Sequence, residues 1–114
     1  MRYFEFSNYL NSDIIERMIK MAKIGSPLHV LWKECKRDLM EVVERLAEIG
    51  YDGIEFQSMF GNKPADIRRR LDSCGIKAVG DHVAFEELTK HLDKVIDEHK
   101  ELGCEYITDR KSVV

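Results

Sequence analysis

Cysteine is scarce and scattered. Cys35, Cys74 and Cys104 are the three in the chain, and no two stand at Cys-x-x-Cys spacing. That excludes a disulfide framework and a zinc knuckle, and leaves buried, reduced thiols as the reading. No apolar run approaches the roughly 20 residues that cross a bilayer. The N-terminus lacks the basic start and apolar stretch of a secretory signal, so a cytoplasmic protein is expected. A large charge of either sign is missing too: the net charge is −3, which gives no electrostatic case for nucleic acid or an anionic membrane. The one local basic run, Arg68-Arg69-Arg70, reads as a solvated helix face. With 114 residues, 44% hydrophobic and 34% charged, the chain is at most one globular domain.

What is present is a repeated seam. Three times a helical stretch meets a glycine and passes into a β-rich run: Ile49-Gly50-Tyr51-Asp52-Gly53-Ile54-Glu55-Phe56, Cys74-Gly75-Ile76-Lys77-Ala78-Val79, and Leu102-Gly103-Cys104-Glu105-Tyr106-Ile107. A glycine adopts the left-handed conformation that ends a helix at little cost. The spacing of Gly50, Gly75 and Gly103 is near the roughly 30-residue length of a βα unit. About four strands and three helices fit, whereas a closed (β/α)₈ barrel needs eight of each in about 250 residues. The fold expected is therefore α/β: a partial barrel, four parallel strands wide and not closed.

Strand one is expected over Lys23 to Leu31, with Pro27 requiring an edge or a bulge. Asp38 and Glu41 form a capping-box-like pair. They precede Leu39, Val42, Val43, Leu46 and Ala47, which share one helical face. Strand two is read over Gly53 to Gln57. The second helix starts at Pro64, carries Ile67, Leu71 and Cys74 inward, and ends at Gly75. Strand three runs from Ile76 to about His82. The third helix spans about Glu86 to Leu102, with Leu88, Leu92, Val95, Ile96 and Leu102 as its stripe. Strand four is Cys104 to Thr108.

The ends do not fit the repeat. Residues 1–20 read either as an N-terminal helix closing a barrel bottom or as translated leader ahead of a start at Met21. Glu16-Arg17 can be encoded by a purine-rich, ribosome-site-like string, which favours the leader. The barrel portion is then 21–108. Residues 109–114, Asp-Arg-Lys-Ser-Val-Val, match one reading frame of a common sequencing adapter. They are expected to be a non-native tail on a frame cut before its end.

From about Lys23 to Thr108 the chain resembles the sugar phosphate isomerase/epimerase family, the xylose-isomerase-like TIM barrels. The motifs are Ala47-Glu48-Ile49-Gly50-Tyr51-Asp52-Gly53-Ile54-Glu55-Phe56, then Phe60-Gly61, a helix ending at Gly75-Ile76-Lys77, and Val79-Gly80-Asp81-His82-Val83. Leu92 to Ile96 and Leu102 to Ile107 complete the match. The resemblance implies a divalent metal (manganese, magnesium, cobalt or zinc) in the full-length parent, held by carboxylates and a histidine on later strands. It implies proton transfer between adjacent carbons of a sugar or keto-inositol, and is compatible with a homo-oligomeric parent. None of those ligand strands lies in this chain, so no metal is expected on its residues. Ser26 to Trp32 departs from the family's usual strand-one pattern.

Catalytic ends of such strands are the C-terminal ones. Strict alternation sets Glu55 on the face opposite Ile54 and Phe56, hence toward the barrel interior. There it either lines the substrate pocket or serves as a buried ion-pair partner, since a lone carboxylate in that setting is costly. His82 closes strand three and, at the family position, is a candidate donor to a sugar hydroxyl or enediolate oxygen. A histidine satisfied by backbone is the alternative. His29, ending strand one, and Trp32, just beyond it, are the further candidate substrate contacts; Trp32 can equally be plain packing. His91 is expected to be exposed, His99 packed or snorkelling, and Cys104 inert.

These residues support a fragment of a metal-dependent isomerase or epimerase, inactive alone. An abasic-site endonuclease on the same fold is disfavoured by the charge. A small non-enzymatic α/β module binding a ligand or partner is the remaining alternative. An open sheet with uncovered apolar residues predicts poor solubility, a molten state or self-association.

Overall fold

The computed structural model describes residues 2–3 and 23–110. Its sheet has the order β1-β2-β3-β4-β5. β1 (Arg2–Tyr3) pairs antiparallel with β2 (Lys23–Pro27), and β2, β3 (Gly53–Phe56), β4 (Lys77–Ala84) and β5 (Ile107–Arg110) are all parallel. Four parallel strands in sequence order, with helices between them, form an arc of a (β/α) barrel that does not close. The other readings made for residues 1–20 fall outside the described residues.

Each element follows from local chemistry. β2 stops at Pro27, which lacks the N–H to continue a ladder. Leu28–Leu31 then winds as a 3₁₀ turn with Leu28 fully buried. The strand expected to reach Leu31 is thus shorter, and Pro27 sits at its end instead of in a bulge. Helix α1 (Trp32–Ile49) consists of two helical pieces meeting at Asp38, whose φ of −161° and ψ of 95° are extended. The Asp38 side chain accepts the Glu41 backbone N–H at 3.2 Å, capping the second piece as expected. The Glu41 carboxylate reaches back to accept from Arg37. The short helical piece before Asp38 carries no sequence cap and was not expected.

α2 (Pro64–Cys74) begins on its proline. The expected third helix is two: α3 (Phe85–Lys90) and α4 (Leu92–Leu102), broken at His91, which is exposed. The break turns Leu92 outward, 49% exposed, and makes Val95, His99 and Leu102 the buried line of α4. Gly50, Gly75 and Gly103 end α1, α2 and α4 at φ of 112°, 68° and 79°, the conformation that only glycine enters cheaply.

The core lies between the sheet and its helices. Ile54 and Phe56 of β3 are fully buried against Leu39 and Val43 of α1 and Ile67 and Leu71 of α2. β5 begins at Ile107, later than expected, and all four of its residues are exposed. It includes Asp109 and Arg110, paired with Val83 and Ala84; residues 111–114 lie outside the described ones.

Candidate functional site

The site is set by the phase of two strands. In β3, Ile54 and Phe56 face the helices, so Glu55 faces the other way. In β4 the register slips: Ile54 pairs with Ala78, but Glu55 pairs with Gly80 and Phe56 with Asp81. Val79 is the extra residue of a β-bulge. A single inserted residue exchanges the two faces of everything after it. Ala78 therefore faces the helices, and so do Asp81 and Val83, all buried. His82 faces the inner side with Glu55.

The two meet there. His82 Nε2 hydrogen-bonds Glu55 Oε1, with the side chains 27% and 26% exposed. Since a carboxylate only accepts, the proton of that bond is on Nε2. The remaining ring nitrogen, Nδ1, is then available to a ligand. Pro27 lies beside Glu55 on β2, and Thr108 beside His82 on β5, by register.

The helix side of β4 carries a second pair. His99 of α4 is buried, its Nδ1 donating to the Val95 carbonyl at 2.6 Å and its Nε2 to Asp81 Oδ2 at 2.6 Å. With the proton of the Nε2 bond on the ring, the imidazole is a cation facing a carboxylate, the assignment that the raised His99 pKa favours. The Asp81 bond raises the His99 pKa above its ordinary value; burial pulls the other way, and the Val95 carbonyl adds to the rise. Asp81 Oδ1 is buried with no hydrogen-bond partner.

Above the strand ends, the β3–α2 connection forms a tight turn. Asn62 N–H bonds the Met59 carbonyl at 3.0 Å, and Phe60 and Gly61 between them have φ of 51° and 78°. Two positive φ values at the central positions define a type I′ turn. Phe60 is not glycine, so it is held there at a cost of roughly 1 kcal/mol or more. Its N–H bonds Ser58 Oγ, and the Asn62 side chain bonds the Met59 and Phe60 carbonyls. Phe60 meets Trp32 edge to face, centroids 4.7 Å apart. A cleft of about 460 Å³ opens beneath this turn, reaching His82, His99 and Arg110.

Of the four candidate contacts, then, Glu55 and His82 come together, and Trp32 stands at the strand-end rim against Phe60. His29 does not join them. It lies in the 3₁₀ turn, exposed, because β2 ends at Pro27 before reaching it. Asp81 and Phe60 were not picked out from the sequence as site residues; His99 was expected to be packed or snorkelling, and it is buried, but its pairing with Asp81 was not foreseen. A histidine on the i, i+4, i+7 line of Val95, His99 and Leu102 was the available signal for His99. Cys104 is buried, its thiol pushed up to about 11 by burial. The Arg68, Arg69 and Arg70 side chains form ion pairs with Asp72, Asp66 and Glu44 on the surface. A larger cavity, about 640 Å³, lies at the opposite end of the strands between α2 and α4, away from the ends where this architecture does chemistry.

Among the described residues no three His, Cys, Asp or Glu side chains converge to hold a metal ion. No described helix is long and apolar enough to cross a membrane.

This arrangement places the candidate site at the strand ends of an unclosed TIM-barrel arc. The solved structures it is similar to include a sugar phosphate isomerase/epimerase from Parabacteroides distasonis, with a TM-score of 0.62 at 21% identity over 81% of this chain and 40% of that one. A xylose isomerase-like TIM barrel/4-hydroxyphenylpyruvate dioxygenase fusion protein gives a TM-score of 0.50 at 23% identity, over 65% of this chain and 15% of the other. The fold is thus that of a TIM barrel, and the chain spans less than half the length of either structure. No family model matches the chain, and no curated protein matches it.

Proposed function

We propose that this chain is the front part of a metal-dependent sugar or sugar phosphate isomerase/epimerase, cytoplasmic, that moves a proton between adjacent carbons through an enediolate. The observation that carries the reading is the Glu55–His82 pair on the inner face, in a fold similar to that of an isomerase/epimerase. Glu55 orients the imidazole and stabilises it when protonated. His82 then donates from its free nitrogen to the substrate oxygen on which charge develops. Trp32 offers an apolar wall at the rim. The substrate is a small sugar- or inositol-derived molecule, with no part for nucleic acid or membrane. The described residues do not form a metal cage, so no step is assigned to an ion here; in this proposal a divalent cation (manganese, magnesium, cobalt or zinc) sits on strands outside the portion matched. The chain alone is then inactive.

The test is to express the complete gene product beside the 114-residue chain, and to assay ketoses and inososes for carbon-bound hydrogen exchange in D₂O. The complete protein should exchange and the short chain should not. Glu55→Gln and His82→Asn should each lower kcat by about 10²–10⁴-fold. Turnover by the short chain, or full activity of both variants, overturns the reading.

A further inference from the structure

We infer that Asp81 is a positioning residue: its buried pairing with His99 holds β4 in the bulged register that turns His82 onto Glu55. The inference rests on the proposed function only in treating Glu55 and His82 as the site.

The two registers open to β4 differ at each of these side chains. Without the extra residue at Val79, alternation from Ile76 and Ala78 would send Gly80 and His82 to the helices. Asp81 would enter the inner face beside Glu55, carboxylate against carboxylate. In the observed register each acid has an imidazole: Glu55 takes His82 and Asp81 takes His99. Residues 81 and 82 are adjacent on a strand and necessarily point to opposite faces. Fixing one therefore fixes the other.

The pair is a poor device for stability alone. Both partners are buried, with side chains 6% and 5% exposed, and Asp81 Oδ1 has no partner. Burying two charges with an oxygen left over costs about as much as the attraction returns, and apolar replacements of such pairs are often neutral or better. Its best-attested use elsewhere is to specify a register. β-bulges serve the matching purpose of re-aiming a side chain beside a site. Val83, buried on the helix side, favours the same register, so losing the pair should loosen the phase, with both registers populated.

The test reads position directly. In the 114-residue chain, kept at a concentration where sedimentation velocity shows monomer, the nuclear Overhauser contact between the His82 ring and the Glu55 side chain is measured in the native protein and in Asp81→Ala. Its intensity should fall to roughly half or less as two registers share the population. A new contact between His82 and Val95 should appear, while Leu39, Ile67 and Leu71 resonances stay in place. The exchanged pair, Asp81→His with His99→Asp, should restore the native contact. If Asp81→Ala does not fold, Asp81→Ala with His99→Leu refills the space without the pair and decides the matter. An undiminished His82–Glu55 contact in whichever variant folds overturns the inference, as does a folded exchanged pair that fails to restore it. An Asp81-dependent contact in a complete protein that exchanges no hydrogen would sink the functional reading and leave this one standing.

Discussion

The thiols separate by environment. Burial, with Glu34 nearby, pushes Cys35 up to about 11, and burial does the same for Cys104. At pH 7.5, where only the thiolate attacks, both should resist iodoacetamide in the folded chain. Half-buried Cys74 should be labelled first, as peptide mass spectrometry would show. His99 gives the pH dependence. Its folded pKa is raised, chiefly by Asp81 with Val95 and Glu98 adding. A raised folded pKa contributes stability that is full below the unfolded value, about 6.5, and lost as pH rises through the folded one. Melting temperature should therefore fall as pH rises above about 6.5, and His99→Gln should flatten that slope. Glu55 was legible from strict alternation, because β3 is regular. The facing of His82 was not: counting from Ala78 without the bulge puts it on the wrong side. A bulge leaves no mark in composition, and only the family position pointed to the residue.

The elements show which signals act locally. The glycine ends of α1, α2 and α4 were readable because backbone conformation there depends on the absence of one Cβ. Asp38 was readable as a cap but not as a bend, since the turn before it depends on packing of Leu28 and Cys35 into the core. Asp38→Ala should cost about 1 kcal/mol, measured by urea unfolding, with helicity lost mainly in the second piece of α1. The break at His91 was missed because the apolar spacing of Leu88, Leu92, Val95 and Ile96 suits one long helix. The structure instead tucks α4 in through His99, a polar residue at a core position.

At the scale of the molecule, the number of strands followed from the glycine spacing, and so did the open arc. Among the described residues, no strand follows β5 in the sheet, and its exposed edge has Ile107 at 36% exposure, with Tyr106 just before it at 69%. Unpaired parallel edges template association. The 114-residue chain should therefore self-associate with concentration in sedimentation velocity, and Ile107→Lys should shift it toward monomer. A concentration-independent monomer would show that this edge is stable in water.

The strand order has a bearing on how the chain comes into being. Each parallel strand lies next to the one before it in sequence. No βα unit must wait for a distant partner to dock, so the loop closed by each pairing is no longer than one βα unit. A nascent polypeptide emerging from the ribosome can thus lay down Glu55, then His82, then the α4 latch behind it, in the order of translation.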